Sequence, residues 1–189
     1  MNENKNKIID TIYGFFLLGN SIFLFLSFFS FLFHWKNDQS QLEYFFDKEI
    51  IADNLLGKIG ASVSHSFIYC GIGISAFFIP ILLFLTGLKI LFIKKKLLNN
   101  FYKSTIYKFI FFSVWLPITF YIILPDNNDN NGIFCGIFGF EVGNLLINLF
   151  GKVGVYILLC TSIIFYYIII FHITTHKIKN GIKKKNGIL

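Results

Sequence analysis

Arginine is missing from this chain, and all 17 basic residues are lysine. With heavy use of Phe, Ile and Asn beside it, that bias reads as an AT-rich genome rather than selection for lysine chemistry, so richness in Lys and Phe carries no functional weight. Charge of either sign is scarce. Charged residues are 14% of the 189, against 55% hydrophobic and 20% aromatic, and the mean hydropathy is +0.66. In water such a chain would expose far more apolar surface than a soluble monomer carries. That excludes a soluble globular domain and leaves a protein that crosses the bilayer several times.

A phosphate-binding loop is missing as well. "NLLGKIG" (54–60) and "NLFGKVG" (148–154) each contain Gly-Lys, but G-x-x-x-x-G-K-[ST] needs a glycine five residues before its second glycine and a hydroxyl after the lysine. Ala52 and Leu146 stand at the first place, and Ile59 and Val153 at the second. No nucleotide site and no catalytic constellation is visible, so the chain is not expected to be an enzyme or to hold a cofactor.

A spanning helix needs about 20 apolar residues to cross roughly 30 Å of hydrocarbon. Four stretches meet that length, over about 12–33, 67–93, 109–124 with a polar N-terminal extension, and 153–173. The first is too long for a signal-peptide core and lacks a small-residue cleavage site, so it reads as retained. Lysines mark the cytoplasmic side. Lys5 and Lys7 precede the first span; Lys94, Lys95, Lys96, Lys103 and Lys108 fill the loop 94–108; Lys177, Lys179, Lys183, Lys184 and Lys185 fill the tail 174–189. The segments 34–66 and 125–152 hold most of the acids. The expected fold is therefore an all-α polytopic membrane protein of one domain, 1–189, with four transmembrane helices and both ends inside.

The outer segments read as more than connectors. Ser40 and Glu43 form an S-x-x-E capping box ahead of Leu42, Phe45, Phe46, Ile50 and Ile51, which predicts a short amphipathic helix. The second outer segment opens with the turn-rich "PDNNDNNG" and continues as "IFCGIFGFEVGNLLINLFG", apolar but broken by Gly136, Gly139 and Gly143; a partly re-entrant or interfacial helix is expected there.

Each Gly-Lys copy stands on the outer side just before a helix that returns inward. Gly57 and Gly151 can end an interfacial helix in a left-handed conformation, Lys58 and Lys152 can snorkel to headgroups, and Gly60 and Gly154 can admit close helix approach. A plain surface anchor is the simpler alternative for the pair. Lys89, near the inner end of the second span, is read as snorkelling too.

"GKIGASVSHSFIYCGIGISAFFIPILLFLTGLKILF", preceded by the "DQS" of Asp38 to Ser40 and followed by "GIFGFEVGNLLINLFGKVG", resembles the four-helix membrane domain at the N-terminus of FtsK/SpoIIIE-type DNA translocases, particularly the version in Bacteroidota-like bacteria. The resemblance covers nearly the whole chain, in the same order and on the same sides as the topology above. Members of that family continue into a linker, an ATPase motor with a phosphate loop and a small DNA-reading domain, whereas this sequence stops at Leu189. The resemblance therefore implies a membrane anchor or scaffold for cell division and chromosome segregation in the bacterial inner membrane, enriched at the septum among divisome membrane proteins, without ATP hydrolysis or DNA pumping. A homo-oligomer is left open.

Other constellations are weaker. His172 and His176 share a helix face at i, i+4, but Ile173 replaces the Glu of H-E-x-x-H, and no metal site is expected. Asn127, Asp129, Asn131 and Gly132 mimic the start of a calcium loop, yet Phe138 stands where the bidentate carboxylate belongs. Three cysteines cannot all pair; Cys160 falls inside a span, while Cys70 and Cys135 lie on compatible sides and leave an outer disulfide open. Basic runs such as "KIKNGIKKK" attract phosphates, but lysines abutting spans serve orientation and anionic lipids, so direct DNA binding is not expected. No acid lies deep in a span, which argues against a proton-coupled carrier. The rival reading is a small transporter or channel component, for which only Asn20, scattered Ser and Thr, and His65 offer a polar path.

Overall fold

From Thr11 to His34 the sequence has neither proline nor a charged residue, and this run folds as the middle of a single helix, α1 (Asn2–Gln41). The computed structural model describes residues 2–41, 47, 49, 51–92, 96–124 and 131–186. At 1.5 Å per residue α1 is about 60 Å long, roughly twice the hydrocarbon layer, so it projects beyond it. Its outgoing end carries Ser40, whose hydroxyl donates to the Asn37 carbonyl at 2.8 Å. Ser40 thus lies within the last turn of α1. The amphipathic helix expected after it falls mainly on residues 42–46, 48 and 50, outside the described residues.

The return crossing is discontinuous. It runs through α2 (Gly57–Ser64), a π-helical turn (His65–Ile72), a 3₁₀ turn (Gly73–Phe77) and α3 (Phe78–Phe92). "GIGIS" explains the break: Gly71 leaves the helical region (φ −99°, ψ −128°), and Gly73 adopts φ +61°, ψ −146°, a conformation reserved for glycine. The helix α4 (Lys96–Ile123) carries Pro117 in its interior, which removes one helical hydrogen bond. The last helix, α5 (Asn131–Asn186), is interrupted at Gly136 (φ +61°) and Gly151 (φ +69°).

Residues 1–143 form one compact unit and 144–189 a second. In the first unit α1 packs along α3 and α2, with α4 against the 3₁₀ turn and α3. Small residues let α1 and α3 meet: a Cβ on Gly14 would lie 2.6 Å from Leu91 Cγ, and one on Gly87 would lie 3.0 Å from the Gly14 carbonyl oxygen. The Ser21 hydroxyl donates to the Pro80 carbonyl across the same contact at 2.7 Å. The core gathers Phe28, Phe31, Ile68, Ala76 and Ile133. Phe28 meets Phe77 edge-on at 5.6 Å, and Phe78 stacks on Phe109 at 4.8 Å.

The apolar surface points outward rather than inward. Phe15, Phe16, Ile22, Phe29 and Phe33 of α1, and Ile157, Phe165 and Ile168 of α5, are exposed. Four helical segments, Lys7–Ser40, Gly57–Phe92, Ser104–Ile123 and Gly132–Ile170, are long and apolar enough to cross a membrane. Among the described residues there is no strand. This is an all-α membrane protein with four spanning helices.

Candidate functional site

The first Gly-Lys copy is seated on α1. Residues 54–57 form a single turn, closed by the Gly57 amide donating to the Asn54 carbonyl at 2.8 Å, and Gly57 takes φ +63° to enter α2. Asn54 is buried, and its side chain holds the turn from both ends. Its Oδ1 accepts from the Leu56 amide at 3.1 Å, while its Nδ2 donates to the Ser27 carbonyl at 3.1 Å and to Asp38 Oδ2 at 3.2 Å. The Leu55 amide donates to Ser30 Oγ at 2.9 Å, and Asn37 Nδ2 donates to Asp53 Oδ2 at 2.8 Å. Consecutive residues of α1, Asn37 and Asp38, thus pair with consecutive residues of the loop, Asp53 and Asn54.

Spacing accounts for the α1 side of this seat. Ser27, Ser30, His34 and Asp38 recur at three and four residues, and so share one helix face. Gly60 then closes the seat from α2. A Cβ there would collide with Asn54 Oδ1 and lie 2.8 Å from Leu56 Cβ and 3.0 Å from Ser27 Oγ. Lys58 turns back into the loop, its ammonium donating to the Asp47 carbonyl oxygen.

The second copy shares the backbone but not the surroundings. Gly151 has φ +69°, matching Gly57, and neither glycine has an atom within 4 Å of where its Cβ would be. Asn148 and Lys152 are exposed, and a Cβ on Gly154 would meet Phe150 Cβ at 2.9 Å, a residue of its own segment.

A second arrangement was hidden in the sequence. The two helix breaks cross backbone to backbone. A Cβ on Gly73 would collide with the Phe134 carbonyl oxygen and lie 2.5 Å from the Phe134 carbonyl carbon and 2.8 Å from that of Cys135. One on Gly136 would lie 2.5 Å from the Gly73 nitrogen. Beyond the crossing, Gly139 abuts the Pro117 carbonyl oxygen (2.6 Å) and Gly143 the Tyr121 ring (2.9 Å to Cε1). Of the three glycines read as breakers, only Gly136 has a positive φ. Gly139 and Gly143 are helical and serve close approach. The signal was present in "NGIFCGIFGFEVG", where Gly132, Gly136, Gly139 and Gly143 recur at four, three and four residues.

The remaining candidates settle simply. No disulfide joins Cys70, Cys135 or Cys160. Cys70 Sγ lies 3.6 Å from His65 Nδ1, and the His65 ring stacks on Tyr69, which stacks on Trp35. Asn20 donates to the Phe16 carbonyl within its own helix, and the Lys89 ammonium sits 4.2 Å from the centre of the Tyr102 ring. The side chains of His172, His176, Asn127, Asp129 and Asn131 lie outside the described residues. Among the described residues no three His, Cys, Asp or Glu side chains gather as a metal would need.

Buried glycine crossings, a polar seat on α1 and an apolar exterior define a multi-pass helical membrane domain. The chain belongs to the family described as the 4TM region of DNA translocase FtsK/SpoIIIE, whose model matches residues 6–183. No curated protein and no solved structure matches it.

Proposed function

We propose that this domain is a membrane anchor and scaffold of the bacterial cell-division and chromosome-segregation machinery, seated in the inner membrane with both ends inside and enriched at the division septum. The family match over residues 6–183, together with four apolar crossings, carries this reading. Its work is placement. Gly57, Lys58, Gly60, Gly151, Lys152 and Gly154 position the two returning helices, and the partners are the lipid bilayer and divisome membrane proteins. The lysines of 94–108 and of the tail serve orientation and anionic lipid rather than DNA. The transporter reading gains nothing from the crossing of Gly73 and Gly136, where there is no room even for a Cβ.

The test pairs two measurements on the 189-residue chain. A tagged copy at native expression in a bacterium with matching partners should give a septal-to-lateral fluorescence ratio well above that of a general membrane marker. The purified chain should release no phosphate from ATP. Uniform membrane fluorescence would overturn the divisome placement, and protein-dependent ATP turnover would overturn the anchor-only role.

A further inference from the structure

The helix break before α3 brings together a nucleophile and a base that positioning helices does not require. Cys70 and His65 stand five residues apart, which on an α-helix would turn them about 140° away from each other. The turn from His65 to Ile72 is π-helical, with hydrogen bonds spanning five residues, and so sets the two side chains over one another. Cys70 Sγ lies 3.6 Å from His65 Nδ1, within hydrogen-bond reach for sulfur. One residue later Gly71 leaves the helical region, and Cys70 stays exposed beside the break.

The imidazole is held in place by its neighbours. It stacks on the Tyr69 ring at 5.2 Å and 12°, meets Phe31 edge-on at 6.3 Å, and Tyr69 stacks in turn on Trp35 at 6.0 Å. His65 Nε2 is buried with no hydrogen-bond partner among the described residues, so Nδ1 is the nitrogen left to exchange a proton with the thiol. Trp35 precedes Lys36 at the end of α1, and stacked Trp and Tyr beside a lysine suit the membrane–water boundary. Water-borne reagents can therefore reach Cys70, whereas Cys135 is buried and Cys160 lies within an apolar crossing.

We propose that Cys70 is a thiol–disulfide exchange site for a small disulfide in the water phase, with His65 holding the proton that the thiol gives up. The thiolate is the attacking species, and an adjacent imidazole favours it. The Cys70 S–H passes its proton to His65 Nδ1, and the thiolate attacks one sulfur of the incoming disulfide. A new S–S bond forms as the old one breaks, and the departing sulfur leaves as a thiolate that takes the proton back from His65. One disulfide and one thiol enter and one of each remains, so no further oxidant is needed. This goes beyond the anchoring role and depends neither on it nor on which side of the membrane this end faces.

The full chain in detergent supplies the test, with oxidised glutathione as the probe and the mixed disulfide assigned by peptide mass. The control is Ser66→Cys in Cys70→Ala, which puts a thiol at an exposed position of the same turn without the imidazole contact. Cys70 should take up glutathione at least about tenfold faster than that control. At about pH 6 the unmodified chain should keep its advantage and His65→Gln should lose it, because an amide cannot take the proton. Tyr69 and Lys36, whose ammonium lies 5.5 Å from the centre of the Trp35 ring, are the other titratable groups of the stack and are unchanged in that comparison. Tyr69→Leu keeps both reacting groups but frees the ring, and should lose part of the advantage; if His65→Gln fails to fold, this variant decides. The proposal is overturned if Cys70 reacts no faster than the control, if His65→Gln has the same rate and pH profile as the unmodified chain, or if glutathione collects on Cys135 or Cys160 first.

Discussion

Replacing Gly73 by alanine should destabilise the fold far more than replacing Gly57, although both glycines have nearly the same positive φ. At Gly57, φ is +63° with no atom within 4 Å of the new methyl group, so only the left-handed backbone is penalised, by about 1–2 kcal/mol. At Gly73 the backbone lies in a region reserved for glycine, and the methyl group would meet the Phe134 and Cys135 main chain at 2.5 and 2.8 Å. Main chain cannot swing aside as a long side chain can. Strain of about 1–3 kcal/mol from the backbone and about 1–3 kcal/mol from overpacking give about 2–6 kcal/mol. These are local steric effects, so they apply in detergent or bilayer alike. Thermal unfolding of the full chain in detergent, followed by circular dichroism, should show a clear drop in melting temperature for Gly73→Ala and a small one for Gly57→Ala. Adding Gly136→Ala to Gly73→Ala should cost less than the sum of the singles, because both methyl groups open the same crossing. Equal melting temperatures for Gly73→Ala and Gly57→Ala would refute the reasoning.

Reporters fused after Lys96 and after Lys185 should read as cytoplasmic and one near Asn128 as external; an external signal at either lysine-rich site would overturn the orientation. Gly60→Leu should cost about 2–5 kcal/mol, by overpacking and by displacing the Asn54 amide from buried partners, while Gly154→Leu should cost little within its own segment. Membrane insertion should survive both, since leucine is apolar, and the difference is read from detergent stability and protease resistance; equal losses would show that the two copies are packed alike.

Much of the architecture was legible because a bilayer leaves a chain few options. Every backbone polar group must be satisfied within the apolar layer, so about 20 apolar residues in a row can hardly be anything but a helix. Four such stretches are present, and the break at Gly136 was marked by its glycine, whereas the break at Gly71 and Gly73 falls inside a stretch that reads as one continuous span. The repeated Gly-Lys was visible too, and positive φ at Gly57 and Gly151 is a property of the local backbone that glycine alone makes cheap.

What glycine does beyond that is ambiguous in sequence. A glycine that breaks a helix and one that lets another backbone approach look the same in a string of letters. Gly136 does both, whereas Gly139 and Gly143 only admit Pro117 and Tyr121, and the difference depends on what α4 brings to them. Likewise "DQS" and "NLLGKIG" were each readable as motifs, but nothing in either says that Asp38 is buried. That follows from the loop folding back so that Asp53 and Asn54 meet Asn37 and Asp38, sixteen residues earlier in each pair. Composition and local sterics alone carried the number of crossings, their apolar character and the left-handed backbone at Gly57 and Gly151, but not the left-handed Gly73 inside a stretch that reads as one continuous span. Which glycines face another backbone and which carboxylate is shut away from water follow from how the chain packs, because burial is a property of what returns to cover a residue.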